Sequence, residues 1–302
     1  MKIIYLLLIP ILVFLGLNYR QLYSDWAIWS ETQRLNKLAE SMPEAFQNPE
    51  LLEDNFVDGL SQRFWKFTVI DGGGIVSNDD AWHAASIAIE DGLTINHIPD
   101  TQFQYESSRS HPPAAEQYNN VTLIGGSGFQ PTPSNDVVLK FSSSVSENFY
   151  GTAGVIFQPV GTLRKDGFFA KPFDMFGFSV AGPESFVQGL NGPFCYLALN
   201  WIPVQVNALP VDARAWHDYE VRLQWINPTQ WSGIVKVDDQ VTCEIPMPAF
   251  GPVEVHVWSD NSLVINRPRR WWELAPAMDL KFQDGGDKQF HLKTIQIFTE
   301  AR

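Results

Sequence analysis

The chain is short of the residue types from which most reactive sites are built. Its 302 residues hold only 2 cysteines and 6 histidines. Cys195 and Cys243 form no Cys-x-x-Cys pair, which excludes a zinc or redox centre made of cysteines. No His-x-His or His-Glu-x-x-His occurs, so single histidines beside tryptophans read as structural. Positive charge is scarce as well: 21 Lys and Arg stand against 34 Asp and Glu, a net charge of −13. Nucleic-acid binding needs basic side chains to neutralise phosphates and is argued against. Adhesion to anionic lipid headgroups is disfavoured for the same reason. Internal repeats and long helical periodicities beyond the first 54 residues are also lacking. What remains is apolar and aromatic, 45% hydrophobic with 11 Trp and 21 Phe, enough for a large core.

Near the N-terminus an uncharged run, residues 3–17, lies between Lys2 and Arg20. It is short for a membrane span of about 20 residues. Bulky Phe14, Leu15, Leu17 and Tyr19 suit a signal-peptidase site poorly, and Tyr19, Tyr23 and Trp26 recur like interfacial aromatics. Residues 1–20 are therefore expected to be an uncleaved signal anchor, a single transmembrane segment with the remainder extracytoplasmic. If the segment is cleaved, the remainder is secreted. Residues 21–54 carry Ile28, Leu35, Leu38 and Met42 near one helical face and read as a helical stalk or linker. In an oxidising compartment Cys195 and Cys243 either pair as a disulfide or remain two buried thiols.

From residue 55 to 302 short β-branched and aromatic runs alternate with Gly, Pro, Asn and Asp clusters. The runs predict strands over 64–70, 87–90, 93–96, 121–124, 137–142, 153–158, 173–180, 194–202, 218–226, 234–237, 253–259 and 291–299. Strands without crossover helices make an all-β protein, two antiparallel sheets packed as a sandwich or jelly roll. The Gly-Gly-Ser-Gly at 125–128 follows a strand and precedes Pro131, so it reads as a glycine loop and not a nucleophile elbow. Alternation places Tyr219, Val221, Leu223 and Trp225 on a core face, with Asp218, Glu220, Arg222 and Gln224 on a wet one. It likewise turns Val253, Val255 and Val257 inward and Glu254, His256 and Trp258 outward. Trp65, Trp216 and Trp225 read as core.

Four features in order resemble the concanavalin A-like lectin and glucanase superfamily. They are Asn55-Phe56 followed by Phe64-Trp65-Lys66-Phe67 and the glycines at 72–74; Trp216-His217-Asp218-Tyr219; Val235-Lys236-Val237-Asp238-Asp239; and a closing strand at 292–298 suited to pair with the first. The resemblance implies a two-sheet jelly roll with one concave face, a face that often binds saccharides in that superfamily. Family 16 glycoside hydrolases share the fold and carry Glu-x-Asp-x-Glu, or the same with one inserted residue, on their catalytic strand. That pattern is absent here. Residues 173–178, Phe-Asp-Met-Phe-Gly-Phe, fall at that strand's place in chain order and hold one carboxylate.

The expected activity is accordingly non-catalytic carbohydrate binding by an extracytoplasmic jelly roll. The expected ligand contacts are Trp82, His83, Trp201, Glu254, His256, Trp258, Asp260 and Asn261. A divergent glycoside hydrolase would need Glu254 paired with Asp174 or Asp260. A structural or protein-interaction module of the envelope is the third reading. Trp271 and Trp272, preceded by Arg267, Arg269 and Arg270, are a further aromatic site, with structural pairing of the arginines expected. No cofactor is expected. Asp79 with Asp80, or Asp284 with Asp287, could hold calcium, but neither matches a calcium loop and both read as solvated turns.

Overall fold

A computed structural model describes residues 48–70, 74–76, 87–89, 91–96, 120–149, 152–160, 174–182, 191–199, 202–260, 263–265, 277–279 and 289–302. The expected anchor, most of the expected stalk, the 71–73 part of the glycine turn, the aspartates at 79–80 and 284–287, and the Arg267–Trp272 region lie outside the described residues. Among the described residues no helix is long and apolar enough to cross a membrane.

The chain forms two antiparallel eight-stranded sheets and a small two-stranded one. Sheet A runs β14 (Gln240–Pro248), β13 (Gln230–Val237), β12 (His217–Asn227), β7 (Asn135–Val145), β18 (Gln289–Ala301), β5 (Leu93–Asn96) and β4 (Ile87–Ile89), with β1 (Leu52–Asp54) also on β18. Sheet B runs β11 (Ile202–Ala208), β10 (Gly192–Leu199), β9 (Met175–Ala181), β8 (Thr152–Pro159), β15 (Val253–Asp260), β6 (Asn120–Phe129), β2 (Trp65–Ile70) and β3 (Gly74–Val76). Strands β16 (Leu263–Ile265) and β17 (Ala277–Asp279) pair with each other.

The sheets are held face to face by alternate side chains. On β12, Tyr219, Val221 and Leu223 are buried in the shared core, as the sequence alternation requires. Phe178 of sheet B meets Tyr219 of sheet A at 4.2 Å between ring centroids, and Tyr219 stacks on Phe141 at 5.2 Å. Burial pushes the Tyr219 phenol far above its ordinary value, with Asp238 adding to the effect. Beside this cluster Phe176 crosses the gap onto Gly233. A Cβ at Gly233 would stand 2.6 Å from two ring atoms of Phe176, so only glycine admits the ring. Cys195 of β10 and Cys243 of β14 form a disulfide across the sandwich, with Cα atoms 6.6 Å apart. Of the two alternatives open in the sequence, the bridge is the one adopted.

Two links between the sheets explain features of the sequence. Buried Asp54, at the end of β1, accepts hydrogen bonds from the backbone N–H of Phe56 and Ser61, both 2.8 Å, and from Trp65 Nε1 at 2.6 Å. One carboxylate thus ties sheet A to the entry of β2 in sheet B. In the β13–β14 hairpin, Asp238 and Asp239 have φ of 49° and 65°, the signature of a type I′ turn. Asp238 Oδ2 lies 2.7 Å from His217 Nδ1, and its Oδ1 accepts from the Asp218 N–H. The His217 contact, then the Asp218 N–H, hold the Asp238 carboxyl below its usual range. Two of the four motifs that carry the superfamily resemblance are therefore one hydrogen-bonded unit.

Several expectations are corrected. Residues 52–54, placed in the expected stalk, are a strand of sheet A paired with Ile295–Ile297. The closing strand does not pair with 64–70: β18 joins β7, β5 and β1, while β2 joins β6 in the other sheet. The glycine loop at 125–128 is part of β6. There the Phe64 backbone crosses so closely that a Cβ on Gly125 would stand 2.7 Å from the Phe64 ring. The single strand over 194–202 is a hairpin of two, β10 and β11. Trp216 is 44% exposed and not core.

Gly233→Ala should cost about 1–3 kcal/mol, the usual penalty of overpacking, read by urea unfolding. Replacing both cysteines by alanine should cost about 2–4 kcal/mol, since the bridge closes a 48-residue separation. Without reductant, neither thiol should take up iodoacetamide in the mass spectrum.

Candidate functional site

The two outward faces of the sandwich differ. That of sheet A is closed by ion pairs. Buried Asp136 accepts from Arg222 Nη1 at 3.1 Å, Gln224 Nε2 at 2.8 Å and Arg302 Nε at 2.6 Å. Glu220 meets Arg222 Nε and Lys236 Nζ, both at 2.9 Å, and Arg222 also pairs with Glu300. Burial alone would raise the Glu220 carboxyl, but hydrogen bonds from Lys236 and Arg222 outweigh it and hold the group below its ordinary value. The face expected to be wet carries this polar lattice, with Asp218 exposed, Arg222 and Gln224 half-buried and Glu220 buried.

Sheet B presents a different surface. Antiparallel register sets side chains of paired residues on the same face. On β15, Val253, Val255 and Val257 enter the shared core, so Glu254, His256 and Trp258 point away from it. Opposite them on β8 stand Gln158, Ile156 and Gly154. Beyond lie Gly177 and Ser179 on β9, then Tyr196 and Phe194 on β10. Ile124 and Thr122 of β6 flank His256 and Trp258 on the other side. Ile156, Met175, Ala181, Phe194, Tyr196 and Ala198 form a second apolar cluster, with Trp258 packed against it.

Set in this apolar floor are polar groups of unusual environment. His256 Nε2 lies 3.1 Å from Glu254 Oε1, and the residues are only 1% and 4% exposed. A tryptophan–histidine–carboxylate strip was expected here as a wet surface; the structure keeps its alternation but buries two of its members. The side chains of Gln158 and Ser179 are buried too. Gln158 Oε1 and Trp258 Nε1 have no hydrogen-bond partner among the described residues. Each such orphan costs about 1–3 kcal/mol. Tyr196, next to Ser179, donates instead to Met175 Sδ at 2.9 Å. Burial drives the Tyr196 phenol far above its ordinary value, offset in part by the nearby Ser179 hydroxyl.

Of the expected ligand residues, Glu254, His256, Trp258 and Asp260 share one strand. Trp82, His83, Trp201 and Asn261 lie outside the described residues. The expected pair of Glu254 with Asp260 is not brought together along β15. Asp260 is six residues from Glu254 along β15, roughly 20 Å at strand rise, whereas paired glycosidase carboxylates stand about 5–10 Å apart. Asp174 is wholly buried one residue before β9, outside the outward set. The 173–178 segment leads into β9, whose outward positions are Met175, Gly177, Ser179 and Ala181. Sequence reasoning missed Gln158, Ser179 and Gly154. The available signal was a lone polar residue inside an otherwise apolar strand, Ser179 between Phe178 and Val180.

Two antiparallel sheets sharing an aromatic core form an all-β jelly-roll sandwich. No family model and no curated protein matches the sequence. Among solved structures the chain is similar to one from work on endo-acting O-glycanases of the human gut microbiota that initiate mucin breakdown, with TM-score 0.50 and 12% identity over 83% of this chain and 99% of that one. It is also similar to the β-glucanase of Bacillus licheniformis, with TM-score 0.46 and 12% identity over 83% and 99%. A family 16 glycosyl hydrolase protein from Mycobacterium smegmatis gives TM-score 0.47 and 10% identity over 82% and 100%. At these identities the likeness is one of fold.

Stability should fall on acidification because of the sheet A lattice. Glu220 titrates lower folded than unfolded, so its contribution is present above the ordinary glutamate range and is lost as pH drops through the lower folded range. Urea midpoints measured from pH 7 to pH 3 should show this fall, and Glu220→Gln should flatten it.

Proposed function

We propose that the chain is a membrane-tethered, extracytoplasmic carbohydrate-binding domain that engages saccharide on the outer face of sheet B without hydrolysing it. The observation that carries the reading is Trp258 set among unpaired polar atoms on an apolar floor. A sugar ring offers C–H faces to an indole and hydroxyls to orphaned donors and acceptors, and it satisfies both demands at once. The inter-sheet disulfide supports an oxidising compartment. The tether rests on the 3–17 apolar run alone. Hydrolysis is disfavoured because the sequence lacks the Glu-x-Asp-x-Glu strand of family 16 glycoside hydrolases.

Glycan arrays and pull-downs with insoluble polysaccharides test this. The intact chain should bind at least one saccharide class, and Trp258→Ala should weaken that binding by about tenfold or more. Binding to none of the polysaccharides would end the reading. Release of reducing ends that Glu254→Gln abolishes would replace it with a hydrolase.

A further inference from the structure

We propose that the free edge of β11 is a self-pairing surface, through which two copies of the chain join antiparallel about a two-fold axis. Strand β11 ends sheet B on one side, with no further strand beside it among the described residues. A long open edge invites pairing, and stable monomers guard it with charge, proline or brevity. The other three sheet ends are guarded in this way. Strands β3 and β4 have three residues each, and β14 carries Glu244, Pro246 and Pro248. Strand β11 reads Ile-Pro-Val-Gln-Val-Asn-Ala and holds no charge, in a chain of net charge −13. Its one proline, Pro203, stands near the start and leaves residues 204–208 unguarded, all of them half-buried or exposed.

Hydrogen-bond parity decides what the edge offers. Leu209 donates its N–H to the Pro193 carbonyl beside β10 at 2.9 Å. Bonding alternates along an antiparallel ladder, so Asn207 also bonds toward β10, while the N–H and C=O of Val206 and Ala208 point away from it. A two-fold axis through Val206 sets that residue against its own copy and Ala208 against Val204. Gln205 then faces Asn207, and no like charges meet. The partner is a second copy because 34 acidic against 21 basic residues make two such chains repel in general, whereas this edge brings no charge to the contact. The axis of such an isologous pair stands perpendicular to sheet B. Both outer faces therefore lie on the same side of one continuous sheet, with Val206, packed against the apolar floor, at the junction. The consequence for binding rests on the carbohydrate reading above: two Trp258 surfaces engage one polysaccharide together.

Sedimentation equilibrium of the full chain in detergent micelles, without saccharide, tests the pairing. The mass should rise from monomer to dimer with concentration. Val206→Lys, which opposes two cations on the axis, should weaken the dimer about tenfold or more. Hydrogen exchange on the wild-type chain reads the same edge without a substitution. The amides of Val206 and Ala208 should gain protection with concentration, while that of Asn207, already bonded to β10, should not change. A monomer at every concentration would overturn the proposal. So would a dimer that Val206→Lys leaves at wild-type strength with the edge amides unprotected, because the copies would then meet elsewhere. Retention on particulate curdlan or chitin should fall about tenfold in Val206→Lys, and unchanged retention would overturn the shared capture. A chain that dimerises through this edge but binds no saccharide would remove the carbohydrate reading and leave the pairing standing.

Discussion

Period-two alternation along β15, fixed by its valines, is the constraint from which the site follows. Val253, Val255 and Val257 are each wholly buried between the sheets. At about 25 cal/mol per Å² of apolar surface, moving all three outward would cost several kcal/mol. A slip of one residue would do that and would drive Glu254 and His256 into the aromatic core. The core thus decides which side chains reach the outer face, although none of its members touches that face. The same logic fixes β8 and β9 by register, which sets Gly154 and Ser179 in line with Trp258.

The alternation was legible in the sequence because it depends only on residue order. The inward and outward sets of β12 and β15 could be read directly, and with them the sandwich class. Elements set by contacts between distant residues were not legible. β14 was hidden by Pro246 and Pro248, which a sheet tolerates because β14 is its edge strand. The 125–128 glycines read as a loop because nothing local announces that Phe64 crosses them. Trp216 was taken as core from its aromatic character, but it stands one residue out of step with the inward set of β12. It lies at the surface with Lys293 Nζ 4.3 Å over its ring.

Burial on the site face was misread for a related reason. Strand parity tells which face a residue joins, not what covers that face. Glu254 and His256 alternate with valines as solvent-facing residues do, and their polarity suggested a wet surface. The residues paired with them on β8, Gln158 and Ile156, are buried as well. A carboxylate placed there needs a partner, and the His256 ring at 3.1 Å supplies one. Ser179 and Gln158 escaped a reading built on alternation, because single polar letters inside apolar runs carry no periodic signal and stand out only by their isolation.

The contrast between the two outer faces separates structural polarity from polarity kept for a guest. On sheet A every named carboxylate is matched: Asp136 by three donors, Glu220 by two close cations. Such a lattice holds strands together and has no capacity left for a ligand. On sheet B, Gln158 Oε1 and Trp258 Nε1 are buried without hydrogen-bond partners among the described residues. Folding alone gives no reason to keep such groups, since apolar replacements of similar size would stabilise the sheet. Buried unpaired atoms are not confined to that face, since Tyr219 Oη and Trp231 Nε1 in the shared core are unpaired as well; what sets the sheet B face apart is their combination with an apolar floor and a half-buried Trp258.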